Sequence, residues 1–187
     1  MNPVLQAIHS RRSTRAYRPE PLKAEELDTI LEAGLYAPSA CNGQPWHFTV
    51  VHDRALLDHM SEVCKAGMAA SGQDWMVSMA KNPEFHVFYR APLAVVVSGL
   101  KDGLCPLVDT SAAIQNMLLA AESLGIGSCW LGLARFFFAS PQEVRKLDIP
   151  EGYDPLYAVS LGYKAGPDAP APARKGRPIR HLYAPKA

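Results

Sequence analysis

Seven consecutive residues, Pro92-Leu93-Ala94-Val95-Val96-Val97-Ser98, constrain this chain's architecture more than any other stretch. A strand with one wet face alternates apolar and polar residues. This one has no polar position before Ser98, which predicts a strand covered on both faces. Helices must therefore lie above and below it. Leu107 to Leu124 follows at helical spacing, with Val108, Ala112, Ala113, Ile114, Met117, Leu118, Ala120 and Ala121 leaving little polar face. A helix so apolar is buried in a core or between subunits. A chain of 187 residues has room for one domain with a sizeable core but rarely encloses a helix completely, so the pattern predicts a dimer.

The other elements follow from local signals. Val4, Leu5 and Ile8 make a short helical stripe ending near Ser10, and Pro19 and Pro21 impose an extended link. A second helix starts at Lys23, carries Leu27, Ile30, Leu31 and Leu35, and is stopped by Pro38. The Ala37–Pro45 stretch is a loop that runs into a strand, Trp46 to Val51. Asp53 is an N-cap for a helix from Arg54 bearing Leu56, Leu57, Met60 and Val63. Residues 64–90 are weakly patterned and fit two readings equally, a mobile cover over a pocket or ordinary packing under a loop.

Gly125 caps the long helix, and Ser128 to Leu133 reads as a strand. Ser140 and Pro141 open a short helix to Leu147, and Tyr157 to Tyr163 is a last strand. The order predicts an α+β fold in one domain over residues 1–187: a mixed, mainly antiparallel central sheet flanked by helices.

Composition closes off several functions. A formal net charge of +1 leaves no broad basic face for nucleic acid. No apolar run approaches the ~20 residues of a membrane span, and the N-terminus has no secretory pattern. Cys41, Cys64, Cys105 and Cys129 are scattered without a CxxC pair, which suits reduced thiols in a cytoplasm. The histidines lack metal-ligand spacing, so no metal is expected.

Against this neutral background two basic clusters stand out. Arg11-Arg12-Ser13-Thr14-Arg15 packs three guanidiniums and two hydroxyls into five positions, and Arg174-Lys175-Gly176-Arg177 lies in a proline-rich tail. Guanidiniums and hydroxyls are phosphate donors. Local clusters in a neutral chain favour a small anion over a polyanion.

Four separated pieces together resemble the nitroreductase family of flavin-dependent oxidoreductases: Arg11–Arg15, the segment Ala37-Pro38-Ser39 through Asn42-Gly43-Gln44-Pro45-Trp46-His47-Phe48, Gly125-Ile126-Gly127 through Gly132, and Lys175-Gly176-Arg177. The resemblance implies a three-layer α/β/α sandwich, an intertwined homodimer and FMN at its interface. It implies that Arg11, Ser13, Lys175 and Arg177 surround the phosphate and ribityl chain, with Arg12 contributing mainly backbone contacts. Arg15 would lie at the pyrimidine edge of the flavin, where a fixed cation favours the reduced form. Pro38, Ser39, Ala40 and Asn42 would reach the neighbouring subunit's flavin. Trp130, Leu131 and Gly132 would bring backbone amides near flavin O4 and N5. Gln44 and Trp46 would fix the loop, and Cys41 would be inert packing or a redox-sensitive thiol.

The reaction implied is a ping-pong cycle. Hydride passes from NADH or NADPH to flavin N5, and electrons then pass to a nitroaromatic, a quinone or a similar acceptor. No side chain need act as general acid or base. Two other readings stay open, a specialised flavin enzyme on the same scaffold (dehalogenating or flavin-modifying) and a flavin-binding dimer of low turnover. The sequence leaves undecided the acceptor and the choice between NADH and NADPH.

Overall fold

The computed structural model describes residues 1–176 and 178–183. Seven helices and four strands follow the chain: α1 (Pro3–Ser10), α2 (Ala24–Leu35), β1 (Trp46–Val51), α3 (Arg54–Ala69), α4 (Asp74–Lys81), β2 (Leu93–Leu100), α5 (Pro106–Ser123), β3 (Ile126–Leu131), α6 (Arg135–Phe138), α7 (Pro141–Val144) and β4 (Tyr153–Tyr163). The strands are ordered β1-β2-β4-β3 and pair antiparallel throughout. The parallel component of the expected mixed sheet is a single bridge, Ser13 to Ser128.

β2 sits at the centre and is buried along all but its last residue, as its apolar run predicts. On one face Leu93, Val95 and Val97 join Leu27 and Ile30 of α2 and Ile114, Met117 and Leu118 of α5. On the other, Ala94 and Val96 meet Leu57, Met60, Cys64 and Met68 of α3 and Phe137 of α6. The result is a helix–sheet–helix sandwich. Phe88 and Phe137 are fully buried, each worth about 1.5–3 kcal/mol of transfer free energy.

Caps fall where short polar side chains stand. Asp53 accepts from the Ala55 and Leu56 amides, and Ser140 from the Glu143 amide. Gly125, at φ 73°, ends α5 in a left-handed turn that L side chains rarely adopt. The helix expected to be apolar nearly all round buries Ala113, Ile114, Met117, Leu118 and Ala121, while Leu107 and Val108 in its first turn are exposed.

Three elements depart from expectation. β3 ends at Leu131, and Gly132–Ala134 form a 3-10 turn instead of continuing the strand. β4 begins four residues early, because Pro155 sits opposite the bulge between Val97 and Ser98. A bulge is where a strand tolerates a residue without an N–H. Residues 64–90 are largely packing: α3 continues to Ala69, α4 follows, and Cys64, Met68, Met76, Val87 and Phe88 all enter the core.

Candidate functional site

The pentapeptide Arg11–Arg15 is fastened along the outer edge of β3. The Thr14 N–H donates to the Ser128 carbonyl at 2.9 Å. Further on, Tyr17 pairs with Lys164, and its hydroxyl donates to the Thr14 carbonyl at 2.9 Å. Close approach depends on Gly127, where a Cβ would stand 2.7 Å from Thr14 Cγ2. Thr14 is buried and β-branched, so it has no rotamer with which to retreat.

The three arginines then separate. Arg12 folds back and donates through Nη1 to the carbonyls of His9 and Arg11, at 2.8 and 2.6 Å. There it closes the C-terminal end of α1, where a cation meets the negative pole of the helix. Arg11, Ser13 and Arg15 line a recess of about 250 Å³ together with Arg174 of the tail, and Arg12 borders it while its Nη1 is turned to α1. No ion pair neutralises Arg11, Arg15 or Arg174 among the described residues.

A polar latch holds the tail over this segment. Asp168 accepts from Lys164 and lies 3.5 Å from Thr14 Oγ1, while Lys164 also donates to Glu122 at 2.9 Å. The two basic clusters, about 160 residues apart in sequence, thereby face one space. Arg174 lines it, the neighbouring Lys175 is exposed, and Arg177 lies outside the described residues.

Arg15 has a partner that the sequence did not announce. Its Nε donates to the Tyr89 hydroxyl at 3.3 Å, and its guanidinium carbon lies 5.8 Å from the Tyr89 ring centre. The hydrogen bond pushes the guanidinium pKa above its ordinary value. Tyr89 and Arg90 both have left-handed backbone, at φ 53° and 55°. Such strain marks a residue held in place by its surroundings.

The end of β3 is arranged differently. Leu131 is buried in the core, and Trp130 is half-buried, edge-on to Tyr157 with ring centres 5.2 Å apart. Gly132 has no positive φ and no atom within 4 Å of where a Cβ would stand. Neither backbone nor packing demands glycine at this exposed position, so its bare backbone is left open to solvent and to any ligand.

The Pro38–Asn42 segment forms a rigid corner ahead of β1. Cys41, Asn42 and Gln44 are left-handed, Cys41 is exposed and not packed as expected, and the corner is pinned at three points. The Gln44 N–H donates to Ser39 Oγ at 2.9 Å, Gln44 Nε2 donates to Asn42 Oδ1 at 3.0 Å, and the Ala40 N–H donates to Asp109 Oδ1 at 3.1 Å. Asp109, buried in the first turn of α5, is a second residue that sequence reasoning missed.

This corner and the arginine recess belong to opposite edges of the sheet. β1 is one edge, and Ser13 stands beyond β3 at the other. Four strand spacings separate them, roughly 19 Å. One chain does not bring the two together.

Residues 8–163 match the family model of the Nitroreductase family. The chain belongs to that family. A Bacteroides fragilis nitroreductase crystallised with bound FMN is 35% identical, with a TM-score of 0.88 over 98% of this chain and 100% of that one. A Desulfitobacterium hafniense nitroreductase with bound FMN is 30% identical, also at a TM-score of 0.88, covering 98% of this chain and 100% of that one. An FMN reductase (NAD(P)H) of Bacillus subtilis is 32% identical over 195 residues, covering 97% of this chain and 74% of the relative. The helix–sheet–helix sandwich is thus the family's own fold.

Proposed function

We propose that this protein is an FMN-dependent oxidoreductase that draws hydride from NADH or NADPH and reduces nitroaromatics, quinones or similar small acceptors by a ping-pong cycle. The observation that carries this reading is the recess holding the unneutralised Arg11 and Arg174 beside Ser13. Planar guanidiniums and a hydroxyl around one small space suit a phosphate close to a dianion. Relatives solved with FMN bound support the choice of phosphate ester.

Arg11, Ser13, Lys175 and Arg177 would hold the phosphate and ribityl chain, and the recess adds Arg174 to that set. Arg12 would act through its backbone, because its side chain is committed to the end of α1. When bound, FMN supplies the hydride-accepting atom and the two-electron store. Arg15 fixes a positive charge where the reduced cofactor is more negative. Trp130, Leu131 and Gly132 would offer backbone amides to the ring system, Gly132 being the exposed one of the three. No side-chain acid or base is assigned, since solvent can supply protons to the acceptor.

The site is completed by a second copy. The corner Pro38, Ser39, Ala40 and Asn42 is too far from its own chain's recess, and a homodimer sets it against the partner's. Apolar surface supports the pairing: Val4 is 65% exposed, Val108 67% and Tyr36 80%. These stand on or beside α1, α2 and α5, the layer that a partner subunit would cover. The protein acts as one FMN-binding domain over residues 1–187, in the cytoplasm. Among the described residues no helix is long and apolar enough to cross a membrane.

Anaerobic mixing of the FMN-loaded protein with NADH and with NADPH tests the function. The flavin absorbance should bleach with at least one donor and return on adding a quinone or nitroaromatic. A flavin that neither donor bleaches overturns the reading.

A further inference from the structure

Nothing so far gives a role to Tyr89, which lies outside every motif the sequence displays. Yet the chain spends several interactions on placing it. The Tyr89 hydroxyl accepts from Arg15 Nε, and its ring lies beside the same guanidinium. Tyr89 and the next residue both take left-handed backbone. No glycine relieves either position.

The turn is held from beneath by α3. Ser61 Oγ, fully buried, accepts from the Val87 N–H at 3.0 Å. His86 Nδ1 accepts from the Phe88 N–H at 3.1 Å and faces the Arg90 N–H at 3.4 Å. Its other ring nitrogen, Nε2, stands 3.1 Å from Asp58 Oδ1. Two backbone donors at Nδ1 fix the tautomer, with the proton on Nε2. Asp58 and Ser61 are three residues apart on α3 and so share a face. The turn is also closed along its backbone, because the Tyr89 N–H donates to the His86 carbonyl and the Ala91 N–H to the Phe88 carbonyl. A half-buried tyrosine on so determined a turn is aimed.

Its target is also informative. Arg15 has no carboxylate partner among the described residues. A carboxylate there would hold the guanidinium but cancel its charge. A phenol holds the guanidinium through Nε and an aromatic face while leaving the charge intact. Holding Nε leaves Nη2 free for another group, while Nη1 donates to the Ser13 carbonyl at 3.5 Å.

We infer that Tyr89 is a positioning residue that holds the Arg15 guanidinium against the cofactor's pyrimidine edge and thereby sets the reduction potential. This rests on the proposed site for FMN. The chemistry is a neutral clamp on a tuning cation: removing the hydroxyl frees Arg15 to turn toward water and weakens the preference for the reduced, more negative form.

The test measures two-electron midpoint potentials of bound FMN in the wild type, Tyr89→Phe, Arg15→Ala and the double variant, each confirmed to bind FMN. Arg15→Ala should disfavour the reduced form about a hundredfold, about 60 mV, and Tyr89→Phe about tenfold, about 30 mV. Tyr89→Phe should add nothing once Arg15 is alanine. A normal potential in Tyr89→Phe beside a lowered one in Arg15→Ala overturns the clamp and leaves the FMN site standing. An unchanged potential in Arg15→Ala overturns the clamp and the placement of Arg15 at the pyrimidine edge. Equal effects of Tyr89→Phe in the two backgrounds show a tyrosine acting on its own, which also overturns the clamp. A readout without cofactor accompanies these: in the apoprotein, the Arg15 Nε–H proton should exchange with water more slowly in the wild type than in Tyr89→Phe. Equal exchange rates count against the hydrogen bond itself.

Discussion

Adjacent arginines in this chain have unlike duties, and the difference is measurable. Both border the recess, but Arg11 has no ion-pair partner among the described residues whereas Arg12 commits Nη1 to the end of α1. Arg11→Ala should cost about 1.5–3 kcal/mol in FMN binding, the scale of a charge-assisted hydrogen bond, as read by flavin fluorescence titration. Arg12→Ala should leave affinity nearly unchanged and lower the melting temperature instead. His86 gives a pH dependence of definite sign. Burial depresses its pKa below 6.5 against the opposing pull of Asp58, and Arg90 and Arg54 push the same way as burial. The folded state therefore binds fewer protons than the unfolded one in this range. Its contribution is complete above the unfolded pKa and is lost as pH falls through the lower folded value. Melting temperatures from pH 8 down to about 5 should fall more for the wild type than for His86→Gln, which lacks the titration.

At the scale of elements, the docking of the pentapeptide on β3 depends on a missing methyl group. Gly127→Ala drives a Cβ into Thr14 and should destabilise the fold by about 1–3 kcal/mol in urea denaturation, with weaker FMN binding as the segment lifts. This contact also shows where sequence reading stops. The central strand, the caps at Asp53 and Ser140 and the turn at Gly125 were legible because each is signalled by residues beside it. The role of Gly127 was not, since its partner lies 113 residues away. Tyr89 and Asp109 were hidden for the same reason: their value comes from Arg15 and Ala40 across the fold. Short α6, Arg-Phe-Phe-Phe, carries too little pattern to show a period. The start of β4 was masked by Pro155, which only the bulge opposite makes acceptable. The two basic clusters were visible in the sequence, but not that the chain latched by Asp168 brings Arg174 to the same recess as Arg11.

For the whole molecule, the sheet is the ruler that matters. Its two edges carry the two halves of the proposed site, the corner before β1 and the arginines beyond β3. In the proposed homodimer each chain would lend its corner to the other's recess. Two separately inactive variants should therefore complement each other when unfolded and refolded together. One would carry Arg11→Ala with Arg15→Ala, the other an Ala40→Pro corner that removes the N–H offered to Asp109. Each mixed pair would inherit one intact site and one doubly damaged site. With random pairing half of the dimers are mixed, so the mixture should recover about a quarter of wild-type turnover, where either variant alone shows almost none. Recovery would come from reassortment of subunits, a genetic property written into the order of four strands.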